Sequence, residues 1–592
     1  MAINSTRTDE QSTEKSKLVT LKRLFSYLLA YKKTLVVVFA ILAISMFASL
    51  INPTIMQIAI DDFIAKGNLP GLYRLIVFVV IMNLIVVFGD RLRMFIMAKV
   101  CNKILLTIRH ELYTHIQTLD FAFFDSRPTG KILSRIIGDI NSLKDVLQNC
   151  VTSLIPNVCT VLAVAVIMFC KNWKLAIACL LTLPFMVGMT VYLEMHAHKH
   201  WTDFRKKSSN LNAFLHEDMA GIRIVQSFNA QKETEETFDE LVSEHRKTFL
   251  NAIKYSDRFG PTIDFSWGLG SILLYTTGVL IIGLDKISVG EMFAFGSYLY
   301  MFFWPIQNIA SFYNQLVTNI AAADRVFEIM DTEPGIVDAD MVGEMPTISG
   351  EVTFEHVGFS YDENVKVLDD VSFKIEAGET IALVGPTGAG KSTIVNLISR
   401  FYDVQEGQVL IDGVDVKKVS IESLRSQMGI MTQDNFLFTG TIRENIRYGR
   451  LDATDEEVEA AAKAVNAHEF IMKLEKGYDT ELEERGGGLS IGQKQLLAFA
   501  RTMVSNPRIL ILDEATSSID TKTERLVQSG IEELLKGRTS FVIAHRLSTI
   551  QKADRIFVID DGGICEQGTA KELMDKKGAY YKLYMAQFAG VA

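Results

Sequence analysis

Apolar residues fall into two regimes along this chain. Up to about residue 312 they gather into long runs; beyond about residue 348 they alternate with polar positions or form short runs between turn signals. A helix needs roughly 20 mostly apolar residues to cross a bilayer. Six segments have that character: Leu35–Ile60, Leu72–Phe88, Val151–Cys170, Leu175–Leu193, Pro261–Leu284 and Val289–Phe312. The second is the shortest, with room to continue past Asp90. The connections Asp61–Leu69, Lys171–Trp173 and Asp285–Ser288 are short, whereas those over about 90–150 and 195–260 are long, polar and helix-patterned. An even number of crossings places both chain ends on one side. Ahead of the first span, Leu21, Leu24, Phe25, Leu28 and Leu29 recur at helical spacing among basic residues. That pattern predicts an amphipathic helix over 21–33 on the inner membrane surface; packing against a soluble domain is the alternative. Residues 1–20 form a polar tail without the apolar core of a signal peptide.

Residues 34–330 thus read as a membrane domain whose sixth span continues as a helix over Asn319–Met330. Asp331-Thr332-Glu333-Pro334-Gly335 breaks that helix, and 331–347 reads as an acidic linker. Residues 348–592 read as a second domain that opens on the alternating strand pattern of Glu351–Val357. Composition agrees with a split chain: 48% of residues are hydrophobic although 22% are charged, and the mean hydropathy is +0.20. A net charge of -10 without a basic tract argues against nucleic acid as a partner. The six cysteines (Cys101, Cys150, Cys159, Cys170, Cys179 and Cys565) are scattered and mostly apolar in setting, which points to neither a disulfide framework nor a zinc site.

Candidate chemistry lies in the second domain. Gly385-Pro386-Thr387-Gly388-Ala389-Gly390-Lys391-Ser392 fits G-x-x-x-x-G-K-[ST] at every fixed position. A buried strand, Ile381–Val384, precedes it, and a helix opens at Thr393. Glycines let the backbone wrap a polyphosphate with its N–H groups turned inward, and the helix N-terminus adds a favourable dipole. Lys391 supplies positive charge to the outer phosphates and Ser392 a hydroxyl for Mg2+. About 120 residues on, Arg508–Asp513 reads as a buried strand ending in a carboxylate placed to hold Mg2+. Glu514 follows, where it can polarise an attacking water. ATP or GTP with Mg2+ is therefore the expected ligand. Leu489-Ser490-Ile491-Gly492-Gln493 opens a helix before that strand, Ser517-Ser518-Ile519-Asp520 follows it, and His545 comes after the apolar strand Ser540–Ala544. Taken singly, Asp520 also fits a helix cap, His545 a structural histidine and Tyr361 a strand aromatic.

Together and in this order, these motifs resemble the nucleotide-binding domain of an ATP-binding cassette (ABC) transporter. The resemblance implies that Tyr361 stacks on adenine and that the loop 385–392 with Thr393 cradles the phosphates. It makes Gln433 the loop glutamine that touches metal and contacts the membrane domain. Ser490, Gly492 and Gln493 become part of the LSGGQ signature, Asp513 and Glu514 the Walker B pair, Asp520 part of the D-loop and His545 the switch histidine. Phe123-Phe124-Asp125 with Pro128, Thr129, Gly130, Arg135 and Asp139 resembles the first cytoplasmic loop of the exporter branch, and Gly221–Phe228 resembles the second. The implied fold is a membrane α-helical bundle, six transmembrane helices with long cytoplasmic extensions, fused to an α/β P-loop nucleotide-binding domain. Short coupling helices are expected near Phe124–Thr129 and Ala220–Ile224.

By the same resemblance the chain is a half-transporter, working as a dimer with two ATP molecules between the nucleotide domains. Ser490 and Gly492 then grip the partner's ATP. The expected activity is ATP-driven export of amphipathic small molecules across the bacterial inner membrane, with the nucleotide domain and both termini cytoplasmic. Charge agrees, since Lys15, Lys17, Lys22, Arg23, Lys32 and Lys33 precede the first span while Asp61, Asp62 and Lys66 occupy the first outer loop. A lipid or lipid-linked flippase and an ATP-gated channel are the rival readings. Ile491 departs from the pattern, standing where the signature has its first glycine. Its branched side chain adds bulk beside a phosphate. With Glu514 intact, that suggests one member of a heterodimer, a tolerant homodimer being the alternative. Asp264 in the fifth span is either a substrate contact or a vestibule or paired charge. The aromatics Phe302, Phe303, Trp304, Phe312 and Tyr313 either line a pocket or, more commonly for such helices, face lipid and neighbouring helices.

Overall fold

The computed structural model describes residues 17–283, 286–338, 343–362, 365–432, 435–513, 521–544 and 547–588. They divide into two compact units. One runs to Gln117 and resumes over Thr129–Thr332; the other takes Thr118–Pro128 together with the chain from Glu333 onward.

In the first unit, five helices among the described residues are long and apolar enough to cross a bilayer: Lys32–Ile64, Leu69–Ile116, Thr129–Lys171, Trp173–Ala220 and Gln231–Ile282. The second, expected as Leu72–Phe88, is a single helix of 48 residues. It carries its charges past the apolar stretch by pairing Arg93 with Asp90 one turn away, at 3.3 Å. The sixth expected span lies in a 42-residue helix, Val289–Met330, which has the length but is not among those five. Gly290, Glu291, Ser297, Tyr298, Tyr300 and Pro305 dilute its apolar character. Its core positions Phe295, Tyr298, Leu299, Phe302 and Phe303 are buried against Val164, Met168, Leu175 and Leu274, so it is held by packing against other helices. Its buried tyrosine is satisfied there: the Tyr298 hydroxyl lies 2.8 Å from Thr54 Oγ1 and donates to Leu50 O at 3.1 Å. At its start, Ser288 accepts from Glu291 N, while Asp61 accepts from Gly290 N at 3.0 Å and from Ser288 Oγ at 2.5 Å. The amphipathic helix spans Lys17–Leu29, turns at Ala30–Tyr31 and restarts at Lys32, rather than running over 21–33. One face docks on its own unit, with Leu24 and Leu28 buried and Arg23 paired to Asp331 at 2.6 Å. Leu18, Val19 and Leu29 remain exposed.

The second unit is an α/β domain. Its strands are β1 (Val352–Asp362), β2 (Val365–Ile375), β3 (Thr380–Val384), β4 (Glu406–Ile411), β5 (Val414–Asp415), β6 (Met428–Met431), β7 (Gly440–Thr441), β8 (Glu481–Leu482), β9 (Ile509–Asp513), β10 (Thr539–Ile543), β11 (Arg555–Asp560) and β12 (Gly563–Gly568). An antiparallel sheet has the order β2-β1-β4-β5, and a six-stranded sheet the order β12-β11-β3-β10-β9-β6, parallel except for the edge strand β12. Parallel strands covered on both faces read as continuous apolar runs. Here Ala382, Val384, Leu510 and Leu512 enter one core, and Ile381, Leu383, Ile509 and Ile511 the other. Register then levels three strand ends: Ile543 of β10 pairs with Leu383 of β3 on one side and with Asp513 of β9 on the other.

The chain leaves β3 through Gly385 at φ +154°, pressed against β11, where an added Cβ would fall 2.1 Å from Ile559 O. Backbone cannot yield as a flexible side chain can, so Gly385→Ala is expected to cost about 2 kcal/mol of stability and to distort the loop that follows. Thermal unfolding of the purified chain and its ATP affinity, measured together, check both effects.

Candidate nucleotide site and membrane cavity

The loop after β3 turns on residues in the left-handed region, Gly388 at φ +86° and Gly390 at φ +105°. Gly390 is the N-cap of the helix Lys391–Ile398. Pro386, Thr387, Gly388 and Ser392 are exposed along the rim, whereas Ala389, Gly390 and Thr393 are buried beneath it. Lys391 Nζ donates to Gly385 O at 2.9 Å and to Pro386 O at 2.7 Å. Burial lowers its pKa, and the charge of Asp513 opposes that shift. A half-buried ammonium among carbonyls, with a carboxylate nearby, suits an anionic oxygen. Backbone cradle, hydroxyl, ammonium and carboxylate fit a polyphosphate with a hard divalent cation.

Ser490 begins the helix Ile491–Ser505 with a capping box: its Oγ accepts from Gln493 N at 3.3 Å and Gln493 Oε1 accepts from Ser490 N at 2.9 Å. Gly492 is buried, whereas Ile491 is 53% exposed at the first helical position. Nothing in its own chain requires glycine at 491. Tyr361 presents a half-exposed ring, and its hydroxyl donates to Thr393 Oγ1 at 3.2 Å. The expected Gln433, Glu514, Asp520 and His545 lie outside the described residues.

Three features escaped the sequence. Tyr580, Leu583 and Tyr584 of the helix Ala579–Phe588 close a cavity of about 170 Å³ with Gly385, Thr387 and Lys391; a terminal helix carries no motif. Gln495, on the signature helix, has a buried amide oxygen without a hydrogen-bond partner, beside a cavity of about 30 Å³ that reaches Asp513. Tyr402 stands edge-on to Tyr361, with ring centroids 4.9 Å apart. In β-strand and loop aromatics, spacing alone does not mark such partners.

The short helices of the loops are also displaced from expectation. The first is Phe121–Asp125 and the second Ile222–Ser227. Asp120 caps the first by accepting from Phe123 N, and Gly221 breaks the chain before the second. Asp139 forms a two-pronged pair with Arg325, at 2.6 and 2.8 Å.

Within the membrane unit, a cavity of about 1080 Å³ lies among the helices Lys32–Ile64, Leu69–Ile116, Gln231–Ile282 and Val289–Met330. Its wall is apolar apart from the amides of Asn52 and Asn83, the hydroxyls of Ser49, Ser271, Ser297, Tyr275 and Tyr300, and the indole of Trp267. Among the described residues that line it, none is charged. Asn52 Nδ2 donates to Asn83 Oδ1 at 3.4 Å, while Asn52 Oδ1 is buried without a partner. Asp264 is exposed and is not part of the wall, although Trp267 one turn on is. None of Phe302, Phe303, Trp304, Phe312 or Tyr313 lines the cavity: Phe302, Phe303 and Phe312 are buried, and Trp304 and Tyr313 exposed.

Comparison with known proteins gives matches over both units. The family model for the ABC transporter transmembrane region covers residues 35–306, and the ABC transporter model covers residues 368–517. An uncharacterized ABC transporter ATP-binding protein of Bacillus subtilis (strain 168), YknV, is 41% identical over 96% of this chain and 94% of its own. The ATP-dependent lipid A-core flippase of Syntrophus aciditrophicus (strain SB) is 37% identical over 90% of this chain and 88% of its own. A solved structure of a bacterial Atm1-family ABC exporter with ATP bound superposes with a TM-score of 0.77 at 30% identity, over 95% of this chain and 99% of that one. A transmembrane region and an ATPase domain fused in one chain, with relatives alike over nearly its whole length, place this protein in the ABC transporter family as an ATP-driven translocase of the exporter type.

Proposed function

We propose that the chain is one half of a dimeric pump that exports amphipathic small molecules across the bacterial cell membrane by alternating access, driven by hydrolysis of ATP with Mg2+. The observation that carries the substrate class is the large cavity, whose wall carries no charge among the described residues. Amides and hydroxyls set in an apolar surface suit an apolar body bearing a few hydrogen-bonding groups and disfavour a bare charge. The flippase relative supports a second reading, in which the same wall takes an acyl chain. The nucleotide domain and both termini are cytoplasmic in this proposal, where ATP is.

In this chain's own site, Tyr361 stacks the base, and the loop Gly385–Ser392 with Thr393 holds the phosphates. Ser392, Asp513 and Gln433 are the residues that would hold Mg2+, whose charge offsets that of the phosphates. Glu514 takes a proton from the attacking water, and His545 steadies the terminal phosphate. Ser490, Gly492, Gln493 and Asp520 complete the partner's site from across the interface. The exposed Ile491 supports a heterodimer, because its bulk burdens only what the partner binds. The other half then brings a complete signature.

Purified alone in lipid nanodiscs, this chain is expected to bind ATP but hydrolyse it slowly, and Ile491→Gly to raise turnover about tenfold. Sustained turnover by the unaltered chain would instead establish an active homodimer. In the assembled pump, Glu514→Gln is expected to lower hydrolysis by about 10³-fold while ATP binding persists; ion conduction that stays open with ATP bound would mark a channel. Asn52→Leu is expected to raise about fivefold the concentration of a neutral fluorescent amphiphile needed for half-maximal stimulation of the ATPase.

A further inference from the structure

In sequence, Thr118–Pro128 is spliced between two helices of the membrane unit, yet it belongs to the nucleotide unit. Asp120 fixes it by accepting from Gly335 N at 2.7 Å. Phe121 packs on Phe401, with ring centroids 4.2 Å apart. The next residue, Tyr402, donates its hydroxyl to Asp125 Oδ2 at 2.5 Å. Burial and that carboxylate raise the hydroxyl's pKa, so it stays a donor. At its other end the Tyr402 ring meets Tyr361 edge-on, at 4.9 Å and 89°. Tyr361 is anchored in turn: its hydroxyl donates to Thr393 and accepts from Asn396 Nδ2 at 3.3 Å. Phe359 braces it from another side at 4.8 Å. Contacts therefore run unbroken from the helix behind the phosphate loop, through Tyr361 and Tyr402, to Asp125.

We propose that Tyr402 is a positioning residue that transmits the presence of a base on Tyr361 to the helix Phe121–Asp125 through its hydrogen bond to Asp125. The inference rests on Tyr361 being the base platform of the proposed site. The exposed half of the Tyr361 ring is free to take a base, while its hydroxyl and two ring contacts are already fixed. A base stacked there restrains Tyr361, and the abutting Tyr402 ring loses freedom with it. Tyr402 joins the helix through its hydroxyl, so restraint on the ring sharpens the bond to Asp125. Coupling of this kind is reciprocal: an engaged helix strengthens base binding by the factor by which the base steadies the helix.

Amide hydrogen exchange across residues 121–126 of the full-length transporter tests this, with AMPPNP, with inorganic tripolyphosphate and with neither. In the wild type, AMPPNP is expected to slow exchange about tenfold and tripolyphosphate, which lacks a base, to have little effect. Tyr402→Phe keeps the ring but removes the donor, and Asp125→Ala removes the acceptor; each is expected to reduce the slowing to about twofold or less, with AMPPNP affinity falling by the matching factor. The double variant is expected to lose no more than either single. Three results overturn the proposal: full slowing in Tyr402→Phe, equal slowing by tripolyphosphate, or exchange quickened by one common factor with and without nucleotide, which marks a merely structural contact. A wild-type transporter that binds no AMPPNP sinks the pump reading together with this one, whereas binding without any slowing sinks this one alone.

Discussion

Three parallel strands ending at one level hold the nucleotide chemistry in place. Adjacent strands lie about 4.8 Å apart, so Asp513 and the start of the phosphate loop, two strands away, are separated by roughly 10 Å. That gap suits a phosphate and a metal ion between an ammonium and a carboxylate. Ile543 sets the level by pairing with Leu383 and Asp513 at once. A slip of one residue would turn Asp513 toward the opposite face and bring a leucine into its place. The apolar runs of β3, β9 and β10 therefore do more than fill a core, because their burial on both faces forbids the slip.

The membrane unit obeys a different constraint, that backbone polar groups within the bilayer find partners inside the protein. Val289–Met330 shows how. Its N–H groups at the start are met by Ser288 and Asp61, and its buried Tyr298 by Thr54 and Leu50 O. A helix supplied in this way can carry glycine, serine and tyrosine at membrane depth. Those residues in turn allow close approach: an added Cβ at Gly290 would sit 2.6 Å from Gln57 O.

How legible each part was follows from the range of the forces involved. Gly385–Ser392 and the strand ending at Asp513 were readable because each is local, a run of residues whose conformation is set by its own sequence. The long helices were readable from apolar periodicity, but their ends were not. Leu69–Ile116 continues well past Phe88 because charged residues propagate a helix as well as apolar ones once it is nucleated. The short loop helices were misplaced by a few residues because Asp120 and Gly221, not the hydrophobic pattern, decide where they begin. The aromatic trio at 302–304 read ambiguously, since which face of a helix meets a neighbour is settled by the neighbour. Tyr402 was invisible for the same reason: its hydrogen-bond partner, Asp125, lies far away along the chain.

The absence of charge among the described residues of the cavity wall has an electrical consequence. Moving one elementary charge across a membrane potential of 100 mV involves about 2.3 kcal/mol. A passenger that enters this cavity as a neutral molecule carries no net charge through that field. The work of exporting it is then purely osmotic, set by its concentration ratio across the bilayer, and a cell whose membrane potential has collapsed expels it as readily as an energised one so long as ATP remains.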